Sequence, residues 1–159
     1  MDSIPRGRLM SIHFSSETDD WATPPDLFDQ VDREFNFDLD VCASSSNAKC
    51  PEYFTREDDG LLQLWAPRRC WMNPPYGRQI GRWLEKASDT AIGGGLVAAL
   101  VPARTDTQWW HRWVMTSSEI RFVEGRIKFG GSKSAAPFPN ALVIFRPGMT
   151  VPFITTWRP

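Results

Sequence analysis

LVAALV, Leu96 to Val101, is the stretch that most restricts what this chain can become, because it is apolar at every position. A strand with one wet face alternates apolar and polar residues, so an unbroken run predicts a strand covered on both faces. Helices are the usual cover. RCWM (69–72), EIRFV (119–123) and NALVIF (140–145) read as companion strands, with amphipathic stretches between them. This alternation predicts an α/β domain with a largely parallel sheet. The 159 residues suit one such domain. A polar arm is expected over 1–20 and the domain over 21–159.

The helices carry their own punctuation. In WATPPDLFDQVDREF, Thr23 is the expected N-cap, Pro24 the first helical residue, and Asp26 lies near the positive helix end. Leu27, Phe28, Val31 and Phe35 make its apolar stripe. FNFDLDV then predicts a strand from Phe35 to Val41. A later helix places Ile80, Trp83, Leu84 and Ala87 on one face and stops at the three glycines of 93–95. Thr105 to Gln108 fits a capping box before QWWHRWVM. Trp109, Trp110 and Trp113 have helical spacing and read as core and rim. His111 has no evident carboxylate partner and is not assigned as a base. EGRIKFGGSKSAAPFP is a long basic loop, with a short strand expected at RIKF.

Net charge is only −1, but the charges are segregated. Up to position 67 there are 5 basic and 14 acidic residues; beyond it there are 13 and 5. Either the halves neutralise each other across the fold, or a basic surface faces a polyanion. Cys42, Cys50 and Cys70 lack metal-ligand spacing and the only histidines are His13 and His111, so no metal site is expected. The thiols read as reduced and mostly buried in a cytoplasmic protein. No apolar run reaches spanning length and MDSIPRGRLM lacks a signal-peptide core, so no membrane association is expected.

Asn73-Pro74-Pro75-Tyr76 follows RCWM directly. Each proline fixes its own φ and holds the preceding residue extended. The Asn73 side-chain oxygen and the Pro74 carbonyl then form two stiff acceptors beside the flat face of Tyr76. Such a set suits an exocyclic amino group on a planar base. Its nitrogen is a poor nucleophile because the lone pair is delocalised into the ring. Two acceptors on its hydrogens favour pyramidal geometry and aim that lone pair at an electrophile. The base must leave its duplex, at a cost of a few kcal/mol, and stacking on an aromatic returns roughly 1–3 kcal/mol. The plainer reading is a proline-rich helix entry with Asn73 as cap.

The order WATPPDLF, FDLDVCAS, EDDGL, WMNPPY, LVPARTDTQWWH, GRIKFGG, FPNALVIF resembles the phage-type DNA N-6-adenine-methyltransferase (Dam) family, from roughly Trp21 to Phe145. The resemblance implies a reduced Rossmann-like fold that uses S-adenosylmethionine and acts on DNA of phage or host in the bacterial cytoplasm. It implies a catalytic role for Asn73, Pro74, Pro75 and Tyr76. Asp40 resembles the acid that reaches the cofactor's methionine amino group, and Ala43 and Ser44 resemble the small residues after it. Trp21, Thr23 and Pro24 resemble the upstream cofactor segment, with Thr23 and Pro24 at the cofactor carboxylate. Asp59 resembles the acid at the cofactor's adenine. The chain departs from the pattern in having no GxG after Asp40 and only 33 positions from there to Asn73. One or two strands and the ribose-binding acid are therefore missing or displaced, with Glu57 or Asp58 as substitutes. Asp58 and Asp59 also read as solvated turn acids, and Asp40 as a strand-end cap.

Arg104, Arg126, Lys128 and Lys133 lie in or next to loops after strands and are candidate phosphate contacts. The expected function is methylation of adenine N6 in DNA with short or relaxed sequence choice, read by 126–139. The alternatives are cytosine N4, more distantly RNA or a protein glutamine, and a nucleic-acid-binding module without catalysis. Oligomeric state is not readable from these residues.

Overall fold

A computed structural model describes residues 21–159; the arm expected over 1–20 lies outside them. The strands are β1 (Leu39–Asp40), β2 (Arg69–Met72), β3 (Leu96–Pro102), β4 (Glu119–Val123), β5 (Asn140–Phe145) and β6 (Phe153–Trp157). They form one six-stranded sheet in the order β1-β2-β3-β5-β4-β6. β1, β2 and β3 pair in parallel, as do β4 and β6, while β5 runs antiparallel to both its neighbours. Five strands thus point one way and β5 is reversed. The sheet is mostly parallel, as its sequence suggested. β6 was not anticipated.

Among the described residues, three helices cover the sheet: α1 (Pro25–Phe35), α2 (Ile80–Ile92) and the short α3 (Gln108–Arg112). β3 shows why LVAALV has no polar residue. Val97, Ala99 and Val101 pack into the α2 and α3 side of the core. Ala98 and Leu100 pack with α1 through Leu27, Phe28, Val31 and Phe35. Both faces are dry, so both parities of the strand must be apolar. Trp110 is buried, with Trp109 and Trp113 packed against that core, as helical spacing implied.

Several boundaries differ from expectation. α1 begins at Pro25 with Pro24 as its cap residue and no side-chain cap bond, one position later than the sequence suggested. The Thr23 hydroxyl is engaged elsewhere, by Asn73. The strand expected over Phe35–Val41 shrinks to Leu39–Asp40. Asn36 turns left-handed at φ 51 and closes α1, and Asp32 Oδ1 accepts from Phe37 N at 2.7 Å, so the chain must recover before pairing. α3 is capped by Thr107, which accepts from Trp110 N, rather than by Thr105. RIKF forms no strand, although Ile127 and Phe129 are buried.

The charge segregation is partly resolved inside the fold. Arg121 and Arg146 pair with Glu34, and Arg68 pairs with Asp38 and Glu52. Each joins the basic half to the acidic half. Exposed pairs of this kind contribute little stability, roughly 0–1 kcal/mol. Cys42, Cys50 and Cys70 are all free, and burial pushes each thiol up to about 12, which keeps them unreactive.

Candidate active site

Asp40 ends β1 and Asn73 directly follows β2. The register pairs Asp40 with Trp71, two residues before Asn73, so both side chains emerge at the carboxyl end of adjacent parallel strands. Ligands of open α/β sheets bind at that end. Reversal of β5 brings Asn140, its first residue, to the same edge opposite Pro102.

Asn73 is held in one orientation. Its Nδ2 donates to the Trp21 carbonyl at 2.8 Å and to Thr23 Oγ1 at 3.1 Å. A carbonyl only accepts, so the NH2 end must face Trp21. Asn73 Oδ1 is left buried and without a hydrogen-bond partner. Beside it, the Pro75 carbonyl accepts from Gly77 N at 3.1 Å, while among the described residues nothing donates to the Pro74 carbonyl. The motif therefore presents two adjacent acceptors that the fold leaves unused. A buried acceptor without a donor costs about 1–3 kcal/mol, so a donor from a water or a ligand is favoured there.

Tyr76 does not stand free. Its hydroxyl donates to the Leu100 carbonyl at 3.0 Å, and Asn140 Nδ2 donates to the Val101 carbonyl at 3.2 Å and to Tyr76 Oη at 3.5 Å. Burial raises the phenol above its ordinary value, so it stays protonated. The ring meets Phe138 and Phe129 edge-on, with centroids at 5.5 and 6.2 Å. Trp21 packs on the same two rings at 5.1 and 5.3 Å. Trp21, Tyr76, Phe129 and Phe138 form one aromatic cluster that joins the upstream segment, the clamp and the long basic loop. Sequence reading missed Phe129, Phe138 and Asn140. The available signals were two aromatics inside a basic loop and one polar residue at the head of an apolar strand.

Asp40 is buried, at 2% exposure. Its Oδ1 accepts from Cys42 N at 3.2 Å and its Oδ2 from Lys49 N at 3.0 Å. Burial is the larger influence and raises its pKa to about 6, against the lowering by those two amides. The carboxylate thus shapes the 42–49 loop and still has free lone pairs. A cavity of about 20 Å³ lies beside it, lined by Thr23, Asp40, Asn47, Lys49 and Asn73 among others. That is room for one water or one ammonium group. Asp40, Thr23 and Asn73 thus share one small polar chamber, with Trp21 held to it through Asn73.

The other sequence candidates are more dispersed. Ala43 N donates to the Phe54 carbonyl, and Ser44 N to Asn47 Oδ1. Residues 52–54 run alongside β1, with an isolated parallel bridge from Asp40 to Tyr53. This short segment lies along the outer edge of β1. Asp59, exposed and left-handed at φ 51, accepts from Leu61 N and starts a single helical turn at Gly60–Leu62. Asp58 accepts from Thr55, and Glu57 is exposed. Pro24, Arg126 and Lys128 line a separate open groove of about 360 Å³ at the start of α1. Arg104 and Lys133 are exposed outside it. Among the described residues, no group of three or more His, Cys, Asp or Glu is placed to hold a metal ion, and no helix is long and apolar enough to cross a membrane.

Comparison with known proteins identifies the family. The family described as DNA N-6-adenine-methyltransferase (Dam) matches residues 11–153. A DNA N-6-adenine-methyltransferase of Haemophilus phage HP1 is 33% identical over 140 residues, covering 83% of this chain and 81% of that protein. One from Escherichia phage T1 is 28% identical over 106 residues, covering 65% and 44%. A putative methyltransferase of Escherichia coli, YfdM, is 37% identical over 65 residues, covering 36% and 71%. A family match across most of the chain, on a mostly parallel sheet, leads to one assignment: the chain belongs to the DNA N-6-adenine-methyltransferase (Dam) family.

Proposed function

We propose that this protein transfers the methyl group of S-adenosylmethionine to N6 of an adenine flipped out of DNA. The observation that carries this reading is Asn73 Oδ1, buried, fixed in orientation and without a donor. Together with the Pro74 carbonyl it offers two acceptors for the two hydrogens of an amino group. Bound there, the nitrogen is drawn toward pyramidal geometry and its lone pair is directed away from the ring. S-adenosylmethionine would supply an electrophilic methyl carbon, its C–S bond breaking as the N–C bond forms so that the sulfur leaves as the neutral thioether of S-adenosylhomocysteine. After attack the nitrogen is positively charged and acidic, so one of its protons leaves toward an acceptor of the clamp or to water. No strong base is needed beforehand, in keeping with the exposed position of His111.

Asp40 fits the methionine amino group because its carboxylate borders an ammonium-sized cavity in contact with Asn73. Thr23 and Pro24 with the start of α1, Ala43 and Ser44 in the adjoining loop, and Asp59 at the next turn complete the proposed cofactor contacts, with the Trp21 backbone orienting Asn73. Tyr76, wedged by Phe129 and Phe138, offers the adenine a stacking surface. Arg104, Arg126, Lys128 and Lys133 are exposed and available to phosphates. The family match favours adenine over cytosine as the acceptor and catalysis over passive binding. Phage relatives fit a substrate of phage or host DNA in the bacterial cytoplasm.

The test is transfer of labelled methyl from S-adenosylmethionine to unmethylated DNA, followed by nucleoside analysis, with Asn73→Ala in parallel. Label in N6-methyladenine, absent with the variant, supports the reading. Label confined to N4-methylcytosine, or no label from folded protein on any DNA, overturns it.

A further inference from the structure

An α-amino acid carries a positive and a negative group on one carbon, so an acid and a base at a single mouth can grip both, alongside hydroxyl and backbone donors. Two charged residues, Asp40 and Lys49, are among those that line the cavity beside Asn73. We infer that Lys49 binds the carboxylate of the cofactor's methionine moiety while Asp40 takes its amino group. This deepens the proposed S-adenosylmethionine reading and rests on it.

Three observations support Lys49. Its backbone is fixed at the site, since Lys49 N donates to Asp40 Oδ2 at 3.0 Å and the next residue, Cys50, is buried. Its ammonium acts on the Asp40 carboxylate at a distance, favouring the ionised form, yet among the described residues it forms no ion pair. Two acids of the flanking segments are held by another cation: Arg68 pairs with Asp38 at 3.2 Å and with Glu52 at 2.8 Å. Lys49 is therefore a half-buried cation at the rim of a polar chamber, with its charge uncommitted. The uncapped start of α1 adds a weaker positive field from the other side.

The carboxylate itself can be removed to test this. Equilibrium binding of S-adenosylmethionine and of decarboxylated S-adenosylmethionine is measured by calorimetry for the whole chain and for Lys49→Gln, with thermal melting to confirm folding. Lys49→Gln is expected to weaken S-adenosylmethionine about tenfold and to leave the decarboxylated ligand within about twofold, the size of an indirect effect. Lys49→Arg retains most of the affinity. Equal weakening of both ligands, or no weakening of either, overturns the assignment while cofactor use stands. A wild-type protein that binds neither ligand overturns both.

Discussion

Thr23 Oγ1 lies 3.1 Å from Asn73 Nδ2, across 50 positions of sequence. The hydroxyl that was expected to cap α1 instead helps to orient the Asn73 amide. With the Trp21 carbonyl it consumes both donors of that amide, so the acceptor end points into the chamber. Thr23→Val keeps the shape and removes one of the two acceptors. A hydrogen bond of this kind is worth about 0.5–1.5 kcal/mol. Turnover should fall up to about tenfold, with little change in melting temperature. Single-turnover methyl transfer checks it; unchanged turnover would mean that Trp21 alone aims the amide.

Asp40 predicts a pH dependence of binding. Burial lifts its pKa from 3.8 to about 6, and an amino group is held best by the ionised form. Lys49 is the cation that opposes this rise, and Cys42 stays neutral far above this range. Cofactor affinity should therefore fall as pH drops below about 6, by up to about tenfold per unit, and level off above 7. Stability moves in the opposite sense. Between about pH 4 and 6 the folded protein keeps a proton that the unfolded chain releases, so this favourable contribution is lost as pH rises through about 6. Asp40→Asn should bind weakly with a flat profile. Titrating binding from pH 5 to 8 with both proteins separates these cases.

Gly60 is required by close packing rather than by turn geometry. A Cβ there would lie 2.3 Å from the Val41 carbonyl oxygen and 3.1 Å from Trp83 Cη2. The carbonyl belongs to the backbone just after β1, so it cannot swing aside. Gly60→Ala should cost about 1–3 kcal/mol and lower Tm by roughly 2–12 °C. Because Asp59 precedes it and Val41 follows Asp40, cofactor affinity should drop as well. Thermal melting with a binding assay reads both, and a variant with wild-type Tm would sink this account of the contact.

Arg126 and Lys128 face a groove at the start of α1, and each phosphate they neutralise releases a counterion. The double variant Arg126→Gln/Lys128→Gln should flatten the plot of log K against log salt by up to about 1.8. Cofactor binding should be unchanged. An unaltered slope in a fluorescence-anisotropy titration would place the DNA elsewhere, with Arg104 and Lys133 as the remaining candidates.

Local chemistry in the sequence was enough for the strands β2 to β5 and for α2, because apolar periodicity acts over a few residues. The apolar run of β3 also implied cover on both faces, which α1 on one side and α2 with α3 on the other supply. Tertiary structure decided the rest. Thr23 has the composition of a helix cap, and only the approach of Asn73 makes it an aiming group. Tyr76 reads as a free flat face, yet Leu100, Phe129 and Phe138 fix its ring from segments 24 to 62 positions away. Lys49 is an ordinary surface lysine until the 42–49 loop folds back onto Asp40. Each of these depends on contacts between residues remote in sequence. Such contacts form only when the sheet brings the ends of its strands together, and a linear pattern carries no record of them.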